Sequence, residues 1–297
     1  MQFNIKFKLA YSLNLNKQNS SINFMKIIYK FISFFTNLYF LCFLNGLLIA
    51  SILYFKAEST YDKEVYGAIA QYVTRDSIGK YNRDTFFIRS LNLANSFEHN
   101  RLDVFGDKEI KGFKAEIFRP STMDLLVGNG ACGSASVILA RILKSYGFVV
   151  RFAQMKVNGK FGGHIVIEVK KDNGWIVMDP LYNLYFKDSL GNLASFEEVK
   201  NNINYYKKQF PKGYSQDYLF EGVQYTNWNK VKIIGPMVKS IFNFLLGKEA
   251  ADQISIRAYI IRIYEVNFKI ALLIFIPIFM FTVWKFFDEK NLNNKNK

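Results

Sequence analysis

The sequence predicts an α+β domain held between two membrane-spanning helices. Three observations carry that prediction. Residues 31–55 run for 25 positions without a charged side chain. A second apolar run covers Ile270 to Trp284 near the other end. Between them, a helical period gives way to three strand-like runs punctuated by Asn158-Gly159 and by Asp172-Asn173-Gly174.

At about 1.5 Å per residue, the first run is long enough to cross a hydrocarbon core of roughly 30 Å. The second has 15 residues and is short by itself. Phe268, Phe286 and Phe287 extend it, and Lys269 and Lys285 are placed to snorkel. Pro277 falls inside it, which membrane helices tolerate. The expected organisation is a basic N-terminus at 1–30, a span at 31–55, a domain at 56–268, a span at 269–287 and a tail at 288–297. Residues 1–30 carry five lysines and no Asp or Glu. Lys285, Lys290, Lys295 and Lys297 follow the second run. Both ends therefore suit the cytoplasmic side, and the intervening domain is expected to be extracytoplasmic. Met25-Lys26 before an apolar run has the look of a signal peptide, but the run is too long for one, so an uncleaved anchor is expected. Met25 is a second candidate start. Residues 1–24 are Asn- and Ser-rich and are expected to be disordered.

Within the domain, Glu64–Val73 and Thr85–Ser96 have amphipathic helical spacing. His99 follows in a polar stretch and is expected at the surface. From Ala135 the apolar positions Ile138, Leu139, Ile142, Leu143 and Tyr146 define a helix, with Gly147 as its C-terminal cap. Val149–Val157, Gly163–Val169 and Trp175–Asp179 read as consecutive strands, the last stopped by Pro180. Residues 195–230 read as helix and loop. They carry Tyr205, Tyr206, Tyr214, Tyr218 and Tyr225, a density that suits packing more than a ligand groove. Ile233–Leu246 is amphipathic with Lys239 on its polar side, and it either lies on the membrane or covers the domain core. Ile254–Val266 reads as a helix leading into the second span.

The chemistry concentrates in three residues. Cys132 lies in Gly130-Ala131-Cys132-Gly133, at the start of the helix. Unpaired N–H groups and the helix dipole there favour a thiolate and offer donors to an oxyanion. His164 opens the second strand and Asp179 ends the third. A hairpin centred near Lys171 and Asp172 places the two opposite each other, so that Asp179 orients the imidazole toward the sulfur. Cys, His and Asp in this arrangement suit nucleophilic attack on an acyl group. The expected geometry is a sulfur within about 4 Å of one ring nitrogen, the other nitrogen on Asp179, and all three groups opening onto one cleft. One Cys, one His and one Asp leave a zinc set short, and no CxxC or HxxxH spacing exists, so neither metal nor cofactor is expected. Cys42 falls within the first span and reads as an apolar filler. The net charge of +15 comes with no nucleic-acid motif, so no nucleic-acid partner is expected. An anionic lipid surface or acidic glycan remains compatible with that charge.

Three blocks of this chain resemble the transglutaminase-like superfamily. They are Gly130–Arg151, which carries Gly-x-Cys at a helix start and Gly147-x-x-x-Arg151 into a strand; Gly163–Val169, with His164-x-x-x-Glu168; and Gly174–Pro180, with Trp175-x-x-x-Asp179-Pro180. The resemblance covers roughly Leu125 to Asn183. It implies a papain-like core, in which a helix bearing the cysteine packs on an antiparallel sheet, with a Cys132–His164–Asp179 triad. The implied activity is attack on an amide bond of a protein, peptide or other substrate through a thioester acyl-enzyme. Hydrolysis is favoured over cross-linking because nothing suggests a dedicated amine site. The chain departs from the pattern at Gly133, where many members carry Trp, and at Ile165-Val166, where many carry Ala-Trp. Those departures put the substrate class in doubt and keep two alternatives open: a non-catalytic scaffold that binds a cell-envelope partner, and a structural subunit of a membrane complex. The bilayer itself is the other expected partner.

Overall fold

A computed structural model describes residues 29–75, 82–105, 112, 120–126, 132–172, 174–226, 235–252 and 263–295. The chain divides into two compact units, Met1–Tyr54 with Phe268–Lys297, and Phe55–Asn267.

The first unit holds most of both apolar runs. Residues 29–35 are helical, the helix breaks at 36–37, and α1 runs over Leu38–Thr74. The sequence expects one uninterrupted helix over 31–55. The break arises because Thr36 Oγ1 donates back to the Ile32 carbonyl at 2.9 Å. Asn37 Oδ1 then accepts from the Tyr39 N–H at 2.9 Å, an N-cap that restarts the helix. α1 does not stop at 55 but takes in the expected 64–73 helix. At the other end of the chain a helix over Tyr264–Lys295 contains Pro277. Leu38–Thr74 and Tyr264–Asn291 are long and apolar enough to cross a membrane. Within this unit Asn45 Nδ2 donates to Thr282 Oγ1 at 2.8 Å, and Lys285 Nζ donates to the Thr36 carbonyl.

The second unit is α+β. After α1 come α2 (Arg83–Phe105), α3 (Ser121–Asp124) and α4 (Cys132–Ser145). Five antiparallel strands follow: β1 (Val150–Val157), β2 (Lys160–Lys171), β3 (Gly174–Asp179), β4 (Leu184–Tyr185) and β5 (Val223–Gln224), in the order β4-β3-β2-β1-β5. Between β4 and β5 lie α5 (Phe196–Asn201) and α6 (Ile203–Tyr206). Then come α7 (Gly235–Leu246) and α8 (Lys248–Ala251); α9 is the Tyr264–Lys295 helix, which from Phe268 on belongs to the first unit. The expected helix over 254–266 falls largely outside the described residues.

Local chemistry sets the hairpins. Asn158 and Gly159 adopt φ of 48° and 78°, and Val157 pairs with Lys160, so β1 and β2 join through a two-residue turn of the kind Asn-Gly favours. Helix α4 ends as its sequence predicts. Gly147 takes φ 86°, its N–H donates to Lys144 O, and the Phe148 N–H donates to Leu143 O. That pair of bonds is a Schellman cap, and it delivers the chain into β1.

The sheet buries both faces. On one, Phe87 and Leu91 of α2 and Ile138, Leu139 and Ile142 of α4 pack on Phe152, Ile167, Val169 and Met178. On the other, Phe186, Phe196, Tyr206, Tyr214 and Phe220 cover Ala153, Met155, Val166 and Val177. The segment that follows β4 therefore forms the second layer.

Candidate active site

Cys132 is the first residue of α4. The glycine-bearing run 127–131 ahead of it lies outside the described residues. Two serines of the Cys132-Gly-Ser-Ala-Ser stretch fix the helix start. Ser134 Oγ donates to Asp124 Oδ1 of α3 at 3.0 Å, with both residues buried. Ser136 Oγ donates to the carbonyl of Ile165 at 3.0 Å, which ties the Cys132 helix to the residue after His164.

A bulge presents His164. Met155 pairs with His164, but the next β1 residue, Lys156, pairs with Phe161, so Gly162 and Gly163 are extra residues on β2. Gly162 takes φ 91°. A Cβ on Gly163 would lie 2.6 Å from Val157 Cβ, which leaves no room for a side chain there. The two glycines permit the irregularity, and bulges of this kind re-aim the neighbouring side chain.

The β2–β3 register differs from the one the sequence suggests. Ile167 pairs with Met178 and Lys171 with Gly174, so the hairpin is centred between Asp172 and Asn173. Continued by one residue, this register sets Asp179 across from Val166, not His164. The two-residue loop, with Asp172 at φ 49°, moves the turn along the chain. His164 and Asp179 still share a face, and the imidazole reaches Asp179 diagonally. His164 Nε2 lies 2.6 Å from Asp179 Oδ2.

Asp179 is held on every side. Its Oδ1 accepts from the N–H groups of Leu181 at 3.1 Å and Tyr182 at 3.4 Å. Its Oδ2 accepts from Tyr214 Oη at 3.2 Å as well as from His164. Asn95 of α2 donates to the carbonyls of Pro180 and Leu181 and pins the turn.

Nε2 is committed to Asp179. Nδ1 is buried and has no hydrogen bond of normal geometry. The Cys132 thiol is a neighbour of the ring. Burial of the ring opposes its charge, but the Asp179 hydrogen bond and the Cys132 contact outweigh burial and push His164 up to about 9. Cys132 is also an electrostatic neighbour of Tyr182 and Tyr218.

One expectation is corrected. The three groups do not all open onto a cleft: His164 and Asp179 are 0% and 1% exposed, and only Cys132 is partly exposed. The cause is an aromatic roof. The Tyr218 ring stacks on the imidazole at 4.1 Å and 10° between planes. Tyr182 meets the imidazole edge-on at 6.0 Å, and Tyr214 meets Tyr182 at 4.6 Å. Sequence reasoning noted the tyrosines of 205–225 without placing them on the site. Tyr214 and Tyr218 sit in irregular chain between α6 and β5, where no periodicity reports a side chain's direction. His99 is exposed and away from this cluster, its Nδ1 3.0 Å from the Asn95 carbonyl. Among the described residues no group of three or more His, Cys, Asp or Glu is placed to hold a metal ion.

No protein-family model, no curated protein and no solved structure matches this chain.

Proposed function

We propose that the chain is a membrane-anchored cysteine acyl-transfer enzyme with a transglutaminase-like core, Cys132 being its nucleophile. The observation that carries this reading is the state of His164. One ring nitrogen is fixed on Asp179, the other is buried without a hydrogen bond of normal geometry, and the Cys132 thiol is a neighbour of the ring. A purely structural buried histidine would be expected to satisfy both nitrogens.

The chemistry follows from that arrangement. At neutral pH the ring carries a proton. The sulfur attacks the amide carbonyl carbon as the thiolate, its nucleophilic form. N–H groups at the start of α4 are placed to stabilise the oxyanion. As the C–N bond breaks, His164 Nδ1–H donates its proton to the leaving amine, which gives a Cys132 thioester. The neutral imidazole then takes a proton from water, whose oxygen attacks the thioester and releases the acid and the thiolate. An amine in place of water gives transfer instead. Asp179 orients the ring and balances its charge throughout.

A second reading is favoured by one observation, the stacking of Tyr218 on an imidazole with no exposed surface. In that reading the fold is a binding scaffold and the triad geometry is inert. One experiment separates the two. The full-length protein in nanodiscs is incubated with peptide p-nitroanilides, quenched in acid, and the peptide containing Cys132 is weighed. The enzyme reading expects an acyl adduct that hydroxylamine removes and that His164→Gln abolishes. The scaffold reading expects no adduct on a protein that remains folded.

In this proposal α1 and α9 supply the two spans, with both termini cytoplasmic and residues 56–268 outside. The lysine-rich, acid-free residues 1–30 support that orientation. Reporter fusions at residue 150 and at the C-terminus should report opposite sides. The same side for both would remove the second span.

A further inference from the structure

Helix α7 presents an apolar face that no described residue of its own unit covers. Met237, Ile241 and Phe244 are 66%, 45% and 89% exposed, and their spacing puts them on one stripe of the helix. Val238, Lys239, Phe242 and Asn243 lie on the other side and are half-buried. Lys239 is held there by Asp252, 2.8 Å from its Nζ. The stripe is thus not the face that packs on the described residues of its unit.

Three features identify its occupant. No acidic residue occurs between Glu221 and Glu249, a stretch that carries Lys230, Lys232 and Lys248 besides Lys239, whose charge Asp252 balances. Trp228 precedes the helix, and indoles favour the level of lipid headgroups. The chain also brings a bilayer within reach. Residues 247–263 separate α7 from α9, a tether of at most roughly 60 Å. An apolar stripe, a basic acid-free flank and an adjacent span are the composition of a helix that lies in the membrane interface. We infer that α7 docks on an anionic bilayer surface, with Met237, Ile241 and Phe244 at the boundary between headgroups and acyl chains. The inference rests on α9 being a span.

The test uses full-length protein in vesicles of equal parts phosphatidylcholine and phosphatidylglycerol. With Cys42→Ser and Cys132→Ser as background, single cysteines at 237, 241, 244, 239 and 273 carry an environment-sensitive fluorophore. Lipids bear bromine either near the glycerol end of the chain or near its terminus. Labels at 237, 241 and 244 should be quenched by the shallow bromines more than by the deep ones, and the label at 239 by neither. The label at 273 reports the span and should be quenched by the deep bromines. If 273 is quenched while 237, 241 and 244 are not, the span stands and the inference about α7 falls. Water-like emission at those positions would then mean a solvated face. Blue emission that dilution into excess vesicles abolishes would mean a face between two copies. As a second arm, Ile241→Asp with Phe244→Asp should shift the 237 label to water-like emission and leave 273 unchanged, and an unmoved 237 label overturns the inference.

Discussion

In a Cys132→Ser background, replacing His164 with Gln should remove much of the pH dependence of stability between about pH 6 and pH 10. The folded protein holds the imidazole up to about 9, against an unfolded value of 6.5. A raised folded value means that the native state binds the proton more tightly. The stabilisation is therefore fully present below about 6.5 and is lost as pH rises through about 9. That gap, to which the sulfur itself contributes, sets an upper limit of roughly 3 kcal/mol at 1.36 kcal/mol per unit. For a domain of this size that limit amounts to roughly 6–12 °C in melting temperature. In wild type a proton that the thiol gives up offsets the one that the ring gains, so the Cys132→Ser background isolates the ring. Intrinsic-fluorescence melts of the full-length protein in nanodiscs would measure it, with the Cys132→Ser, His164→Gln profile subtracted to remove groups common to both. Cys132→Ser should lose several degrees across the window and the double variant should not. Parallel profiles for the two would refute the reasoning, since the proton would then not reside on that ring in the folded state.

Tyr218→Ala should cost about 1 kcal/mol from the lost stacking and should speed labelling of Cys132 by a bulky maleimide more than by iodoacetamide. Equal acceleration would mean that Tyr218 does not screen the sulfur. Gly163→Ala forces its Cβ against Val157 Cβ, 2.6 Å away. The strand must shift, which should cost roughly 1–3 kcal/mol and slow Cys132 alkylation by displacing His164; wild-type stability and rate would show that the bulge does not set the imidazole. Asn45→Leu removes the 2.8 Å bond to Thr282 and should weaken the pairing of the two apolar helices by roughly 0.5–2 kcal/mol, read as the guanidinium midpoint of the full chain in micelles.

Much of this fold was legible because its signals are local. Asn158-Gly159 specifies a two-residue turn, Gly147 a helix end, and the apolar period of 135–146 the buried side of α4. Cys132, His164 and Asp179 could be named for the same reason, each sitting at the end of an element that periodicity locates. What was not legible depends on register and on irregular chain. The shift of the β2–β3 turn goes with the positive φ of Asp172, which the alternation of the strands leaves free. The Gly162-Gly163 bulge looks like ordinary strand until its pairing is counted. The roof of Tyr214 and Tyr218 comes from a segment without a period, so no pattern could aim those rings at His164. Residues 36–37 broke an apolar run whose composition alone reads as one helix, because two short polar side chains there bond back to the backbone.

The central claim is that His164 activates the sulfur of Cys132, and the alkylation rate of that sulfur tests it most directly. Cys42→Ser leaves Cys132 as the one thiol, since the chain has two cysteines. At about pH 6.5 an ordinary thiol is only ~1% ionised. The thiolate is the form that alkylates, and an imidazolium beside the sulfur favours it. Iodoacetamide should therefore modify the wild-type site roughly tenfold faster than the His164→Gln site at that pH. Equal rates in the two proteins, both rising with pH as an ordinary thiol does, would contradict the account and leave the buried His164–Asp179 pair as part of a scaffold.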